Sequence, residues 1–250
     1  PDVQMFMDYG LLTDEKFYDR ILPTYLLKNT KGEFKNFEEY KEIIKEKQTD
    51  KDDKLVILYT NDAEAHHSSI KKANDRGYDV VEMTTPLTAH LVQQFEMKME
   101  NVTFKRIDAD AIDKLIAKND HVESHLTDDE KGKLTPVIES ILDSKTFTIQ
   151  FESLDESDLP MMITQSEFMR RMKEQAEIGG GMFAMGNMPD SYNLIVNSNH
   201  SLISKMLVEE DEQKRAQMAQ QAADLAMLSK GMLKGEKLTQ FIERSVGLMS

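Results

Sequence analysis

The chain has 250 residues, 40% of them hydrophobic and 30% charged, which is the composition of a globular protein long enough for two domains. Its formal net charge of −14 argues against nucleic-acid binding, and the absence of cysteine excludes disulfides, thiolate nucleophiles and cysteine-bound zinc. No apolar stretch is long enough to span a membrane, so we expect a cytoplasmic protein without a membrane partner.

The first half of the chain predicts a small α/β layer. The apolar residues before Gly10 predict the last turns of a helix that begins further upstream. Asn36 and Glu39 have the spacing of a capping box that begins a second helix. Strands and helices then alternate: strand 55–59, a helix from a second capping pattern at Asn61 and Glu64 to near Gly77, strand 78–83, helix 86–97 and strand 102–107. This order predicts a parallel sheet with right-handed crossovers.

The turn after the first of these strands bears on the enzyme alternative, a small nucleotide-binding α/β enzyme. Residues 60–64 read Thr-Asn-Asp-Ala-Glu, with no glycine to admit a pyrophosphate and two acids where an anion must sit. This turn disfavours a dinucleotide site. Binding of ATP or NAD by the isolated chain is the observation that favours the enzyme alternative.

No other motif indicates catalysis or a metal. His66 and His67 are adjacent and project about 100° apart on a helix, so they cannot share one ion. His121 and His125 lack the order of a zinc hydrolase helix. The glycines at 179–181 are not followed by the Lys-Ser or Lys-Thr of a phosphate loop, so we expect a flexible segment.

The second half of the chain begins after a polar, acidic stretch at 108–129, where we place the domain boundary. The apolar stripe at 134–142 is helical, and Pro136 either begins a fresh helix or kinks one begun at Thr127. Residues 147–151 alternate as in a half-buried strand, and 161–164 and 192–196 predict two more. We expect helix from about Glu209 to the end.

Methionine is concentrated in one segment: seven of the 17 lie between Met161 and Met188. Thr164 and Glu167 have capping-box spacing for a helix with Phe168 and Met169 on one side and Arg170 and Arg171 on the other. Met172 lies on the apolar side, and Met182, Phe183 and Met185 follow the glycines. Two interpretations stay open, a buried core or an exposed, adaptable surface of the kind methionine favours.

The last 41 residues predict a helical hairpin, with arms at 210–229 and from Gly235 to the end. Residues at heptad-like spacing recur in the first arm, namely Met218, Ala222, Leu225 and Ser229. One apolar stripe on the second arm is formed by Leu238, Phe241, Ile242, Val246 and Met249. Two helices bury little surface alone, so the hairpin packs either on its own domain or on a second copy. The pattern does not decide between these.

Three stretches resemble the bacterial branch of the 90-kDa heat-shock chaperone family. They are Tyr9 to Tyr18, Tyr25 to Glu39, and Asp224 through Gly235 to Val246. The resemblance implies a fragment, with residues 1–125 as the end of a middle domain and 126–250 as a C-terminal domain. The implied fold class is α/β (α+β): a small three-layer β-α-β-α-β domain followed by an α+β dimerisation domain that ends in a helical hairpin.

The resemblance also implies a function, that of the C-terminal part of an ATP-dependent chaperone. It implies a homodimer through the last two helices, with Leu225, Leu228, Leu238, Phe241, Ile242 and Val246 at the interface. It implies that partly folded client proteins contact Phe168, Met169, Met172, Met182, Phe183 and Met185. ATP and magnesium belong to an N-terminal domain outside this sequence, so we expect no catalysis and no cofactor here. A pure dimerisation scaffold, with the methionines in its core, is a further alternative.

Overall fold

The computed structural model describes residues 3–118, 122–171 and 191–249, which group into two compact units. The described part of the first unit comprises 3–118 and 167–171, and that of the second comprises 122–166 and 191–249. Residues 167–171 therefore belong to the first unit although they follow strands of the second. The domain boundary at residue 125 stays a prediction.

The first unit contains helices and short strands in alternation. Its helices are α1 (Gln4–Thr13), α2 (Glu15–Ile21), α3 (Phe37–Gln48), α4 (His67–Asp75), α5 (Thr88–Lys98), α6 (Ile112–Leu115) and α8 (residues 167–171). Its strands are β1 (Leu26–Lys28), β2 (Phe34–Asn36), β3 (Leu55–Thr60), β4 (Val80–Glu82) and β5 (Val102–Arg106). A 3-10 turn (Leu22–Thr24) precedes β1, which pairs with β2 as an antiparallel hairpin.

The larger sheet of this unit has the order β4-β3-β5 with both pairings parallel, as predicted. Both of its faces are covered. On one face Ile57 and Tyr59 pack with residues of α3 and α5, and on the other Val56 and Leu58 pack with residues of α4 and α6. A parallel sheet buried on both sides explains the continuous apolar run of β3, and the α/β part of the predicted fold is confirmed.

Helix α1 continues past Gly10 to Thr13, so the prediction that a helix ends before this glycine is wrong. A Cβ at position 10 comes within 2.7 Å of the Phe17 ring, so the glycine gives room for a close helix contact. The break comes instead at Asp14, whose carboxylate accepts from the Phe17 amide and caps α2.

Side-chain hydrogen bonds to the backbone shape the segments that precede two other helices. Asn36 and Glu39 form the predicted capping box of α3. The second predicted box, at Asn61 and Glu64, is wrong: the Asp62 carboxylate instead accepts from the amides of Glu64 and Ala65, and α4 begins only at His67. Short polar side chains that bond the following backbone favour turns over helix at such positions.

Helix α2 and the β1–β2 hairpin were not predicted, and two further helices were missed. Helix α6 lies in the stretch expected to be a polar boundary, and its Ile112 and Leu115 are buried in the first unit. Helix α9 precedes Glu209, where the C-terminal helical region was expected to begin, and its Ile203 and Met206 are fully buried. Both helices are short, so their apolar residues are too few to establish a helical period.

The second unit contains a three-stranded sheet packed against helices. Its elements are α7 (Asp128–Glu139), β6 (Phe147–Glu152), β7 (Met161–Thr164), β8 (Tyr192–Asn197), α9 (Ser201–Val208), α10 (Glu212–Ser229) and α11 (Gly235–Gly247). Strand β8 lies between β6, to which it is parallel, and β7, to which it is antiparallel. The α+β part and the terminal helical hairpin are confirmed.

Helix α7 begins at Asp128 after a capping box formed by Thr127 and Glu130. Pro136 lies inside this single helix, so the alternative in which it begins a fresh helix is wrong. The Thr135 hydroxyl donates to the Lys131 carbonyl at 2.9 Å, on the turn before the proline. The apolar stripe of α7 reaches the core through Leu134 and Ile138.

Candidate functional site

Helix α8 is attached to the first unit by a buried arginine. Arg170 is only 4% exposed, and its guanidinium donates to the Tyr59 hydroxyl at 2.7 Å and pairs with the Glu167 carboxylate. Its centre also lies 5.8 Å from the centroid of the Tyr59 ring, which adds a cation–π contact. The helix is therefore held by side chains at its first turn.

Arg171 attaches the same helix to the open edge of the sheet. It donates to the carboxylates of Glu167 (2.8 Å) and Glu96 (2.7 Å) and to the main-chain carbonyl of Phe104 (2.7 Å). Glu96 in turn accepts from the Phe104 amide at 2.7 Å. Strand β5 lies at the edge of its sheet, where a further strand needs free amides and carbonyls to pair with. Glu96 and Arg171 bond the amide and the carbonyl of Phe104 instead.

Burial and charge set the ionisation of this network. Burial, and then the nearby charge of Glu167, raise the pKa of Tyr59 to about 12, so its hydroxyl stays protonated. Burial also raises the pKa of Glu167, but hydrogen bonds and charge from Arg170 and Arg171 outweigh it and the net pKa is lowered. Glu167 is therefore ionised at neutral pH.

The residues predicted to contact clients are placed as follows. Phe168 is 68% exposed and Met169 is partly buried, whereas Met172, Met182, Phe183 and Met185 lie outside the described residues. The predicted cap is wrong, because Thr164 is the last residue of β7, paired with Asn193. The predicted division of the helix into an apolar and a polar side is also wrong for Arg170, which was expected on the polar side and is buried.

The residues predicted to form the dimer interface divide into two groups. Leu225, Leu228, Ile242 and Val246 are exposed by 48%, 41%, 52% and 59%, and they form what we call the outer face of the hairpin. Phe241 is only 8% exposed and packs in the core of the second unit, with Leu238 against the same core. Phe241 therefore stabilises the single chain.

A polar seam between α10 and α11 was not predicted. Asp224 is 3% exposed, accepts from Gln220 at 2.9 Å and pairs with the Arg244 guanidinium. Arg244 also donates to Gln221 at 2.9 Å, and Gln221 donates to Ser245 at 2.9 Å. The signal in the sequence was an acid within the apolar run 222–228, where a buried charge requires a partner.

The carboxyl end of β3, where a nucleotide enzyme needs space for phosphate, is filled by side chains. The Thr60 hydroxyl is buried, donates to the Asp62 carbonyl at 2.9 Å and lies 2.8 Å from His66 Nδ1. His66 Nε2 lies 3.3 Å from an Asp108 oxygen. This turn offers a network of internal hydrogen bonds and no glycine-lined approach.

Residues 3–118, 122–171 and 191–249 contain neither a metal-binding cluster nor a membrane-spanning helix. Among them, no three His, Asp or Glu side chains are placed to hold a metal ion together. His121 lies outside them, so the His121 and His125 pair stays undescribed. No helix in the same part of the chain has the length and apolarity needed to cross a membrane.

Comparison with known proteins found no matching family model, but it found similar curated chains. A chaperone protein HtpG of Porphyromonas gingivalis is 39% identical over 229 residues, or 90% of this chain. Chaperone proteins HtpG of Bacteroides fragilis and Bacteroides thetaiotaomicron are each 38% identical over 232 residues, or 92% of this chain. The chain spans about a third of these relatives' length, since the match covers 34% of each.

Proposed function

We propose, from the premise that this chain belongs to the HtpG family of chaperones, that it forms a homodimer through α10 and α11 and holds partly folded client proteins. The similarity to HtpG chaperones on which this premise rests extends over nine-tenths of the chain, at 38 to 39% identity. Because the chain spans a third of its relatives' length, ATP-dependent action is proposed for the whole protein, with ATP and magnesium bound outside this sequence. The chain itself is proposed to have no enzymatic activity.

The single observation that carries the dimer is the outer face of the hairpin. Four large apolar side chains are 41 to 59% exposed on two adjacent helices, although the hairpin core beneath them is well packed. Burying the exposed half of each of these side chains stabilises the dimer by on the order of 1 kcal/mol, at about 25 cal/mol per Å² of apolar surface. A second copy related by a two-fold axis covers all of these side chains with the same four, in a four-helix arrangement.

The polar seam supports this assignment of the outer face. The buried Asp224 and the partly exposed Arg244 tie α10 to α11, so the two helices present their outer apolar residues as one fixed surface. A surface that is rigid before association loses less conformational entropy on binding. The hairpin is thus suited to a stable interface between copies.

Client holding is supported by the setting of Phe168. This side chain is 68% exposed, while its helix is fixed two residues later by the buried Arg170. A single exposed apolar residue is ordinary, but one fixed by neighbouring ion pairs and followed by Met169 forms an anchor for an apolar client segment. The scaffold alternative instead places the methionines in its core, and the exposure of Phe168 is the observation that supports client holding over it.

The experiment measures binding of a permanently unfolded, fluorescently labelled client by anisotropy. We expect Phe168→Ser to raise the dissociation constant at least about tenfold, because the apolar contact is lost. The control is Phe34→Ser, since Phe34 is a comparably exposed phenylalanine (58%) of the same unit. Equal affinities for both variants and the unchanged chain contradict client holding at α8 and favour the scaffold alternative.

Cytoplasmic location and the lack of nucleic-acid and membrane partners stay predictions.

A further inference from the structure

A groove of about 550 Å³ runs beside β5 in the first unit. Its lining contains both charged side chains and apolar ones. Those that matter here are Lys54, Met99, Val102, Lys105, Phe168 and Arg171. The groove therefore includes the exposed Phe168 but extends well beyond α8, along a strand edge that the proposed function does not use.

The edge of the sheet in this groove is closed to strand addition at its middle. The amide and carbonyl of Phe104, which point away from β3, are bonded at 2.7 Å to Glu96 and Arg171 respectively. An incoming chain cannot form its own ladder there without displacing both side chains. Recognition in this groove must therefore depend on the side chains that line it.

The charges available in the groove are positive. Its two carboxylates, Glu96 and Glu167, are committed to Arg171, and Glu167 to Arg170 as well. Lys54 and Lys105 have no ion-pair partner within the part of the chain that the structure describes. Two available ammonium groups in a chain of net charge −14 favour an acidic ligand over a basic one.

The apolar part of the groove fits a large side chain. Phe168 is 68% exposed, and Met99, which is partly buried, lies in the same lining. Successive side chains of an extended segment point to opposite sides, so an acid and an apolar residue placed along it can reach different walls. A methionine wall tolerates apolar residues of several shapes.

We propose that this groove binds an extended client segment in which acidic residues lie beside large apolar ones. The proposal rests on the proposed function and deepens it, because it names the chemistry of the segment that is held. The acidic side chains pair with Lys54 and Lys105, and the apolar ones pack against Phe168 and Met99. Glu96 and Arg171 stay bonded to the backbone of Phe104, so the segment does not pair with β5 as a further strand.

The test is fluorescence anisotropy with the full 250-residue chain and a labelled peptide of about ten residues that alternates Leu or Phe with Glu or Asp. We expect Lys54→Glu with Lys105→Glu to weaken binding about tenfold, because two attractions become repulsions. The matched control is Lys16→Glu with Lys71→Glu, which makes the same change of charge at two exposed lysines outside the groove. The control is expected to change binding less than twofold at physiological salt.

The outcomes separate this proposal from the proposed function. Tenfold weakening confined to the Lys54 and Lys105 variant, with poor binding of a peptide whose acids are replaced by Lys, supports the groove. Equal weakening by the control pair, or no peptide binding, overturns it. If the groove variant still binds the whole unfolded client with unchanged affinity while Phe168→Ser does not, the groove proposal fails and client holding at α8 stands.

Discussion

Two regions of the molecule depart from ordinary burial in opposite directions. At α8, a charged residue is inside: Arg170 is 4% exposed, bonded to Tyr59 and Glu167. On the outer face of the hairpin, large apolar residues such as Ile242 and Val246 are outside, exposed by more than half. Buried charge and exposed apolar surface are the two informative exceptions to the general pattern.

The difference lies in where each region finds its partners. The bonds of the α8 network named above are all made to residues of the first unit, so its partners lie within a single chain. The hairpin satisfies its polar groups internally through Asp224 and Arg244, but its outer apolar face has no cover among the described residues of one chain. The first region stabilises one chain, and the second provides a surface for another.

The largest expected effect comes from breaking the internal region. Arg170→Ala should lower the free energy of unfolding of the first unit by about 3 to 5 kcal/mol, because it leaves the Glu167 carboxylate and the Tyr59 hydroxyl buried with one partner fewer. Urea unfolding followed by circular dichroism measures it. The change should leave the molecular mass in solution unaltered, since the hairpin is untouched.

A matched arginine on the surface provides the control. Arg20→Ala, at an exposed position on α2, should change the free energy of unfolding by no more than about 0.5 kcal/mol. A loss at Arg170 as small as that at Arg20 means that the buried network contributes little, and the contrast between the two regions disappears.

A smaller effect is expected from pH, through two buried carboxylates of the first unit. The pKa of Glu167 is lowered from its ordinary 4.5, so its contribution to stability is present above that value and is lost as the pH falls through the folded-state pKa. Burial raises the pKa of Asp8 above 3.8 although Thr85 and Tyr25 donate to it. The contribution of Asp8 is therefore present at low pH and is lost as the pH rises.

The two carboxylates should separate in a pH series of unfolding measurements. Glu167→Gln should make stability depend less steeply on pH below about 5, and Asp8→Asn should make the dependence steeper, because an opposing contribution is removed. Each change of slope is at most about 1.4 kcal/mol per pH unit, the limit for one proton. Slopes that move in the same direction in both variants contradict the assigned environments.

Local patterns predicted most elements of the fold. The apolar run of β3, the capping box at Asn36 and the hairpin break near Gly231 are each determined by a few neighbouring residues, and each was found. The start of α4 was misjudged because Asp62 competes for the same backbone amides as a cap at Asn61. Such competition between adjacent polar residues is decided by geometry that spacing does not give.

The candidate sites were less predictable because their partners are distant in sequence. Arg170 has the spacing of a solvated helix face, and its burial depends on Tyr59, more than a hundred residues earlier. Phe241 and Ile242 are adjacent on one apolar stripe, and only the packing of α10 decides that Phe241 turns inward and Ile242 outward. The stripe indicates apolar residues without showing which neighbour covers them.

The most direct test of the central claim, that the outer face of the hairpin binds a second copy, is light scattering over a concentration series. We expect the unchanged chain to have a mass near twice 28.7 kDa, and Ile242→Glu with Val246→Glu to have a mass near 28.7 kDa with unchanged circular dichroism. Phe241 is unsuitable for this test because it stabilises the single chain. A monomeric mass for the unchanged chain at all concentrations contradicts the account.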